Sequence, residues 1–467
     1  MFNSLLREDT IAAISTPLGE GGIGVVRLSG STALAIAERI FSLTSRKSLK
    51  DLPSHTIHHG FVVDPLTGER VDEALLLIMK APRSYTTEDT VEISCHGGLI
   101  PLRRTLGAAF HAGARLAEPG EFTLRAFLHG RIDLAQAEAV EGIVRARTER
   151  GLQLALRNLE GRLSHEIRKM KEEVISLLAE AEAAVDFPEE ELDILDGAKY
   201  SERLKNLEED IKGLLRASQD GRIYQEGIRT VIVGRPNVGK SSILNVLLGE
   251  DRAIVSPYPG TTRDTIEGYL NYGGVPFRLI DTAGLRHPEG LHPVEEEGVM
   301  RSRRSLIGAD LLLVVLDGSE PLTPEDKVII EEARDNRRVI VINKADLILQ
   351  VKPRDVEKDI GCRSVLLASA KTGFGIEAVK ESLLQEALEG RMPLEEGTVV
   401  ANLRHQEALS QALRFLGQAR ESVEGGASPE FVAIDLRASL EALGIILGER
   451  ASEDVLKDIF SRFCIGK

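Results

Sequence analysis

An octapeptide in the middle of the chain, GRPNVGKS at 234–241, has the residue types and spacing of a phosphate-binding loop. It fits the pattern G-x-x-x-x-G-K-[ST] and lies between a strand-like apolar run and a helix-like run, which is the context that this motif requires. Backbone N–H groups of such a loop and of the following helix favour phosphate. Lys240 would neutralise the β- and γ-phosphates, and the Ser241 hydroxyl would bind Mg²⁺. The alternative, a glycine-rich turn without a ligand, is disfavoured by this context.

Two further segments have the residues needed around a γ-phosphate. DTAG at 281–284 ends a strand-like run, so Asp281 can reach the Mg²⁺ shell and the N–H of Gly284 can reach the γ-phosphate. SPYPGTTRD at 256–264 lies between the phosphate loop and DTAG. Thr262 is the candidate for a second Mg²⁺ ligand there, because a switch loop ordered by the γ-phosphate needs an oxygen at that point. A proline-rich surface loop is the alternative, and the order of the motifs favours the switch.

Two motifs predict that the bound base is guanine. In NKAD at 343–346, the Asp346 carboxylate can accept from guanine N1–H and N2–H, Asn343 can hold the loop, and the stem of Lys344 can lie over the ring. SAK at 369–371 follows the last strand-like run and offers a backbone N–H to guanine O6. Because α/β sheets bind ligands at the carboxyl ends of their strands, the four motifs in this order predict a GTP site.

The residues of these motifs also bear on hydrolysis. Leu285 stands where GTPases of the Ras type carry a water-orienting Gln, and a leucine cannot position water by hydrogen bonding. Together with Asn237, it resembles the GTPase group with a hydrophobic residue at that site, in which an Asn in the phosphate loop commonly marks potassium dependence. A turn-forming role is the alternative for Asn237. The candidate GTP-binding residues are Asn237, Val238, Gly239, Lys240, Ser241, Ser242, Ser256, Pro257, Tyr258, Pro259, Gly260, Thr261, Thr262, Asp281, Thr282, Ala283, Gly284, Asn343, Lys344, Ala345, Asp346, Ser369, Ala370 and Lys371.

The chain that must position these motifs divides into three kinds of region, with α+β, βαβ and helical sequence patterns. This organisation predicts a multidomain α/β protein. Residues 1–118 have the mixed pattern of an α+β domain, and 228–388 have the βαβ rhythm of a Ras-like P-loop GTPase domain with a mostly parallel sheet. Residues 119–227 and 389–467 are helical in pattern. We expect them to form one helical domain from two chain segments, with the GTPase domain inserted between them. Apolar residues over 152–177 recur every three or four positions and predict one long helix.

Composition restricts the class of protein further. The chain has 467 residues and a formal net charge of −15, which argues against nucleic-acid binding over the whole surface, so a local basic patch or a partner must hold any RNA. Cys95, Cys362 and Cys464 lie far apart, without disulfide or zinc spacing, as expected in a reducing cytosol. Cys95 and His96 are neighbours on a strand and should point to opposite faces. No apolar run approaches the ~18 residues of a membrane span, and we expect a soluble cytoplasmic protein.

The chain ends with CIGK, in which a thiol stands four residues from the terminus. A prenylation box fits poorly, because Gly466 is not aliphatic, Lys467 is atypical at the end, and no polybasic run precedes Cys464. The preceding segment begins with Ser452, a good N-cap, and has an apolar face through Phe463. We therefore expect the tail to pack against protein.

Several stretches outside the GTPase motifs are specific enough to indicate a family. They are DTIAAISTPLGEGGIGVVRLSG, PGEFTLRAFLHGRIDLAQAEAV, DFPEE and the terminal CIGK, and with PGTTRD and DTAGLR the chain resembles the MnmE (TrmE) family of bacterial and organellar tRNA-modification GTPases. The resemblance implies a homodimer that works with the flavoprotein MnmG in a heterotetramer or larger complex. The two would install an aminomethyl or carboxymethylaminomethyl group at C5 of the wobble uridine of certain tRNAs. A ribosome-assembly GTPase with the same motifs is the alternative, although no KH signature or strongly basic segment is present.

The resemblance also implies roles for residues of the GTPase domain. Hydrolysis would require potassium-dependent pairing of two such domains, with Lys240 and Asn237 acting at the phosphates. The water-orienting glutamate matches Glu295 best, and Glu296 and Glu297 stay possible, because acidic residues also favour a helix start. The implied metal ligands are Ser241 and Thr262 for Mg²⁺, and Asn237, Ser256, Tyr258 and Thr261 for K⁺.

A second implied site lies in the N-terminal domain, which in this family binds a tetrahydrofolate one-carbon donor (5-formyl- or methylene-tetrahydrofolate) and dimerises. Arg27, Glu92 and Arg131 match its pocket. A carboxylate suits the amide-like edge of a pterin, and cations suit its glutamate tail. The resemblance further implies that the tail delivers Lys467 to this pocket. Cys464 would then be either a catalytic thiol or a small buried residue.

Overall fold

The structure is a computed structural model that describes residues 9–45, 48–186, 197–249, 267–281, 308–360, 365–389 and 399–467. It divides into two compact units. The first unit comprises Met1–Glu141, Asn158–Glu208 and Glu407–Lys467, and the second comprises Gly142–Arg157 and Glu209–Gln406. The first unit groups the N-terminal sheet with many of the helices, so the expected domain limits at 118, 227 and 388 stay a prediction.

The first unit contains a seven-stranded sheet in the order β3-β4-β5-β6-β2-β1-β7. Its pairs are antiparallel except that β1 and β7 run parallel. Inward side chains such as Val26, Leu76 and Ile93 are fully buried in one apolar cluster with residues of α1 and α2, which gives an α+β arrangement as expected. The elements are β1 (Ile11–Ile14), β2 (Gly21–Ser29), α1 (Ala33–Ile40), β3 (Phe41–Leu43), a 3₁₀ turn (Leu49–Asp51), β4 (Thr56–Val63), β5 (Arg70–Met79), β6 (Thr90–Gly97), α2 (Leu99–His111) and β7 (Arg115–Leu116).

The chain then becomes helical, and the prediction of one long helix over 152–177 is wrong. The helices here are α3 (Glu121–Leu128), α4 (Leu134–Arg145), α5 (Glu149–Leu159), α6 (Arg162–Asp186) and α7 (Gly197–Glu226). Gly161 lies between α5 and α6 with φ +84°, a left-handed conformation that ends a helix. The predicted single apolar stripe is not continuous, since Leu156 in α5 is 41% exposed whereas Leu163 in α6 is fully buried.

The second unit contains a six-stranded sheet in the order β13-β12-β11-β8-β10-β9, parallel except for β9 against β10. Apolar clusters lie on both of its faces, so the prediction of a mostly parallel, Ras-like sheet is confirmed. The elements are β8 (Ile228–Val233), α8 (Lys240–Leu248), β9 (Glu267–Tyr272), β10 (Val275–Asp281), β11 (Leu311–Asp317), α9 (Pro324–Glu332), β12 (Arg338–Asn343), α10 (Pro353–Ile360), β13 (Val365–Leu367) and α11 (Ile376–Leu388).

Three helices complete the chain, namely α12 (Leu403–Glu424), α13 (Pro429–Leu447) and α14 (Glu453–Ser461). Ser452 caps α14 as predicted, and its hydroxyl accepts from the Val455 N–H at 3.3 Å. The apolar face of α14 is buried at Phe460 and continues to the buried Phe463, whereas Val455 is 38% exposed. In the part of the chain that the structure describes, no helix combines the length and apolar character needed to cross a membrane.

Candidate functional site

The phosphate loop joins β8 to α8, and its backbone adopts conformations that few residue types tolerate. Asn237 has φ +67° and Gly239 has φ +98°. Asparagine tolerates the left-handed region better than most residues, and glycine does so at no steric cost. A Cβ at Gly239 would lie 2.2 Å from Nδ2 of Asn343, so this glycine also allows the loop to approach the guanine motif closely.

The two residues that follow Gly239 point their functional groups towards the loop and the adjacent strand. The Lys240 ammonium donates to the carbonyls of Gly234 at 2.8 Å and Arg235 at 2.7 Å, and the residue is only 7% exposed. The Ser241 hydroxyl donates to Oδ2 of Asp281, at the end of β10, at 2.6 Å. Asp281 is fully buried. The predicted Mg²⁺ ligand and the predicted Mg²⁺-shell carboxylate therefore lie side by side, as a hard cation with oxygen ligands requires.

Asn343 links the base motifs to the phosphate loop. It ends β12 and is 2% exposed. Its Nδ2 donates to the Val238 carbonyl at 2.8 Å, and its Oδ1 accepts from the Ala370 N–H at 3.1 Å. One buried amide thus ties together three motifs that are far apart in sequence, which supports the role of holding the loop that the sequence predicted for it.

The carboxylate expected to recognise guanine is oriented by a neighbouring hydroxyl. Ser369 donates to Oδ1 of Asp346 at 2.6 Å, and this hydrogen bond lowers the pKa of Asp346 from its usual value. The side chain is exposed and ionised at neutral pH, so it can accept from a donor edge. Lys344 has φ +64°, and its ammonium lies 2.5 Å from Oδ2 of Asp317. Asp317 lies outside every motif that the sequence indicated.

Several predicted site residues lie outside the described residues, so the structure says nothing of their placement. They are Ser256, Pro257, Tyr258, Pro259, Gly260, Thr261, Thr262, Thr282, Ala283, Gly284, Leu285, Glu295, Glu296, Glu297 and Cys362.

The first unit brings together residues of the predicted one-carbon site. Arg27 on β2 lies opposite Glu92 on β6 in the sheet register, and its Nε and Nη2 both lie 2.8 Å from Oε1 of Glu92. The guanidinium also lies 5.6 Å from the centroid of the buried Phe122 ring. Its Nη1 donates to the carbonyl of Gly466 at 3.3 Å. The pair expected to face a ligand is therefore also bound to the C-terminal tail.

Tyr85 contributes to this cluster, although no sequence motif includes it. The Arg131 guanidinium lies 4.9 Å from the centroid of its ring and donates to its carbonyl at 3.1 Å, and Arg27 lies 6.0 Å from the same ring. Burial raises the pKa of the phenol, although the Tyr85 hydroxyl is hydrogen-bonded to Thr123 at 2.9 Å. The guanidinium groups of Arg27 and Arg131 beside the Tyr85 ring form a positively charged site with one aromatic wall.

The tail packs against protein, as expected, but the thiol is not enclosed. Gly466 has φ +95°, and a Cβ there would lie 2.4 Å from the carbonyl oxygen of Ile14. Cys464 is exposed, which contradicts the alternative of a small buried residue in a crowded pocket. On β6 the predicted opposition is confirmed, because Cys95 is 3% exposed and the His96 side chain is 69% exposed and bonded to Asp72.

An ion-pair network that no sequence motif indicates joins β7 and α3 to Asp9, which precedes β1, and to Glu88, which precedes β6. Arg125 is 4% exposed and contacts three carboxylates, with distances of 2.7 Å to Asp9, 3.0 Å to Glu121 and 3.0 Å to Glu88. Arg115 bonds both Asp9 and Glu121. The hydrogen bond from Arg115 lowers the pKa of Asp9 to about 2. Burial raises the pKa of Glu121, but the bonds from Arg115 and Arg125 outweigh it and leave that pKa lowered.

Comparison with known proteins gives matches along nearly the whole chain. A model described as the GTP-binding protein TrmE N-terminus matches residues 10–131, and one described as the MnmE helical domain matches residues 134–464. The tRNA modification GTPase MnmE of Heliobacterium modesticaldum is 47% identical over 466 residues, which are 98% of this chain and 99% of that protein. The protein of the same name from Thermoanaerobacter pseudethanolicus is 46% identical over 460 residues, with the same coverage.

Solved structures match in part. The G domain of the T. maritima FeoB iron transporter is 27% identical, and the match covers 34% of this chain and 98% of that domain with a TM-score of 0.27. Era from Aquifex aeolicus, bound to GDP and AlF₄⁻, is 26% identical and matches 40% of this chain and 66% of that one, also with a TM-score of 0.27. TM-scores this low add nothing to the sequence matches.

Proposed function

The chain belongs to the MnmE family of tRNA modification GTPases, and from this premise we propose that potassium-dependent GTP hydrolysis drives modification of the wobble uridine at C5. The product would be an aminomethyl- or carboxymethylaminomethyl-uridine, made with the flavoprotein MnmG and a tetrahydrofolate one-carbon donor. The observation that carries the GTPase part is the Asn343 amide, which bonds the phosphate loop at Val238 and the SAK motif at Ala370.

The modification itself has a direct test. A strain that lacks its own copy of the gene is complemented with this chain, and its tRNA wobble nucleosides are measured by mass spectrometry. We expect the modified uridine to return, and its continued absence would overturn the proposal. The alternative of a ribosome-assembly GTPase predicts ribosome co-sedimentation without restoration of the modified uridine.

The potassium dependence rests on Asn237. Its side chain is exposed at the turn of the phosphate loop, and its left-handed backbone holds it there. An amide oxygen at this point is a suitable ligand for a monovalent cation that neutralises charge developing between the phosphates. The other proposed K⁺ ligands are Ser256, Tyr258 and Thr261.

We expect GTP turnover to be much faster in KCl than in NaCl, and Asn237→Ala to remove most of that difference. Asn271→Ala is the matched control, because Asn271 is an exposed asparagine on β9 outside the loop. A potassium effect that survives Asn237→Ala at full size would contradict this assignment.

For hydrolysis, we propose that Glu295 orients the attacking water, since Leu285 cannot. Glu295→Ala should abolish turnover and leave GTP affinity unchanged, because the residue would act on water rather than on the nucleotide. The same two measurements on Glu296→Ala and Glu297→Ala discriminate among the three neighbours. Activity that survives Glu295→Ala and is lost in one of the others would move the role to that residue.

For the one-carbon donor, we propose the cluster formed by Arg27, Glu92, Arg131 and the tail with Lys467, near Cys464. The ion pair fixes the Glu92 carboxylate, and Arg131 on the Tyr85 ring offers a cation beside an aromatic wall for a ligand with a flat ring and carboxylates. Calorimetry with 5-formyl-tetrahydrofolate tests this placement.

In that experiment, Arg131→Gln should weaken binding about tenfold, as expected for loss of a hydrogen bond to a charged group. Arg103→Gln, which changes an exposed arginine of α2, should not. Equal affinities for the two variants would contradict the placement.

Cys464→Ser tests the role of the thiol. Loss of tRNA modification with GTP hydrolysis intact would support chemistry at the Cys464 sulfur.

The proposed homodimer predicts a mass of twice 51.0 kDa in sedimentation.

A further inference from the structure

The segment DGSEPLTPED at 317–326, which belongs to none of the nucleotide motifs, contacts two of them. It runs from the last residue of β11 to the first turn of α9. From its side-chain contacts we infer that this acidic connection is a clasp that positions the guanine motif at one end and the phosphate loop at the other. Asp317 and Asp326 are then positioning residues for GTP. The inference rests on the proposed placement of the nucleotide.

At the first end, Asp317 fixes the lysine of the guanine motif. It is 6% exposed, and its Oδ2 lies 2.5 Å from the Lys344 ammonium. Its other oxygen accepts from both the N–H and the hydroxyl of Ser319, at 3.0 and 2.6 Å. The carboxylate is therefore held from both sides. Because the ammonium is fixed, the alkyl stem of Lys344 is held in one orientation, which is what a stem that lies over a base requires.

The backbone next to Asp317 is joined to the same motif. Asp317 pairs with Asn343 in the β11–β12 register, and the Gly318 N–H donates to the Asn343 carbonyl at 2.9 Å. A Cβ at Gly318 would lie 2.8 Å from that carbonyl oxygen, so only glycine allows this approach. The connection thus leaves β11 with its first two residues attached to the guanine motif.

At the second end, Asp326 fixes the phosphate loop through Arg235. Asp326 is 1% exposed, and its Oδ1 accepts from Nε of Arg235 at 2.9 Å. Its Oδ2 accepts from the N–H and the hydroxyl of Thr323, at 2.9 and 2.8 Å, in a capping box at the start of α9. The exposed Glu320 adds a contact of 3.3 Å to Arg235.

Arg235 matters because of its carbonyl as well as its side chain. That carbonyl accepts the Lys240 ammonium at 2.7 Å. A rotation of the Arg235 backbone would therefore move the partner of the lysine that is proposed to neutralise the phosphates. The buried pair with Asp326 prevents that rotation, since breaking it would leave a charged group buried without its partner. The Lys240 ammonium is therefore held in a fixed position before it transfers its hydrogen bond from this carbonyl to a phosphate.

Substitutions at Asp317 and at Asp326 should have different effects on nucleotide affinity and on kcat. Asp317→Asn loosens the lysine stem at the base, so GTP and GDP should both bind about tenfold more weakly while kcat changes little. Asp326→Asn keeps an acceptor for Thr323 but loses the charged pair, so it should lower kcat and weaken GTP more than GDP. Arg235→Gln breaks the same pair and leaves the capping box intact, and it should reproduce the effects of Asp326→Asn.

The experiment measures Kd for GTP and GDP by fluorescence titration, together with kcat, in the full-length protein. Glu325→Gln is the matched control, because Glu325 is an exposed carboxylate in the same helical turn. Lys240→Ala is the reference for the site itself. GTP affinity that survives Lys240→Ala would show that the proposed nucleotide placement is wrong, whatever the clasp does.

The double variant of Arg235→Gln with Asp326→Asn separates positioning from simple stability. If the pair acts as a unit, the two changes together should lower kcat no further than either change alone. Variants that melt at lower temperature but keep wild-type Kd and kcat at 25 °C would overturn the inference, since the segment would then only stabilise the fold. An effect of Glu325→Gln equal to that of Asp326→Asn would also overturn it.

Discussion

Replacement of Gly466 by alanine should release the C-terminal tail from the proposed one-carbon site without unfolding the protein. Gly466 has φ +95°, a region that costs a residue with a Cβ roughly 1–2 kcal/mol. Its Cβ would also lie 2.4 Å from the carbonyl oxygen of Ile14, whereas carbon–oxygen contacts normally begin at about 3.3 Å. The tail must therefore move away from β1 by roughly 0.9 Å.

That displacement is enough to break the contact with the sheet. The bond from Nη1 of Arg27 to the Gly466 carbonyl is already 3.3 Å long, and a further displacement of this size exceeds hydrogen-bond range. Loss of a partly exposed bond of this kind adds about 1 kcal/mol, so the total is about 2–3 kcal/mol. A change of this size raises the population of the released tail about 30- to 140-fold.

Hydrogen–deuterium exchange of the C-terminal peptide measures that population, because the Lys467 N–H is bonded to the Cys464 carbonyl in the docked tail. Gly426→Ala is the matched control, since Gly426 has φ +68° with nothing within 4 Å of its Cβ position and so isolates the backbone cost. We expect faster exchange and lost tRNA modification only in Gly466→Ala, with GTP hydrolysis unchanged in both. Wild-type exchange and modification in Gly466→Ala would refute the close-approach argument.

Two further outcomes are expected. Gly239→Ala should abolish GTP binding in equilibrium dialysis, because the new Cβ would lie 2.2 Å from Nδ2 of Asn343 and the φ of this residue is +98°. A variant that binds GTP with wild-type affinity would contradict this interpretation of the loop. Asp9, whose pKa is lowered to about 2 by Arg115 and Arg125, contributes stability that is complete above its unfolded value near pH 3.8 and is lost as the pH falls towards 2. Because the side chain is partly solvent-screened, the contribution is about 1 kcal/mol, and urea denaturation at pH 5 and pH 3 should show a smaller acid loss in Asp9→Asn than in the wild type.

The GTP site could be predicted from sequence because each of its motifs is a short continuous segment. A strand-like run before each motif places it at the carboxyl end of a strand, and parallel strands bring those ends to one edge of a sheet. The pairing of Asp317 with Asn343 in adjacent strands illustrates this rule. The fold class followed from the same local patterns and is confirmed.

Interactions between distant segments could not be predicted in this way. Arg125 bonds Glu88, which is 37 residues away, and Asp9, which is 116 residues away, and no local spacing encodes either partner. The break at Gly161 escaped prediction for a related reason. A period of three or four continues through a short interruption, so the apolar pattern over α5 and α6 indicates helical structure but not the break between the two helices.

The tail shows how a local prediction can be correct about packing and incomplete about its cause. Its position follows from α14, which is anchored by Phe460 and Phe463. Gly120, at the start of α3, has φ +69°, and a Cβ there would lie 2.6 Å from the Phe460 carbonyl oxygen, so a side chain at this position would force α14 away from α3. Hydrophobic burial of α14 therefore brings the last residues to β1 and β2, where the Arg27 guanidinium donates to the Gly466 carbonyl. It follows that the packing of α14, rather than Arg27, determines where the tail lies. Loss of the Phe460 and Phe463 side chains should therefore remove the tail from the proposed one-carbon site even when Arg27 is intact.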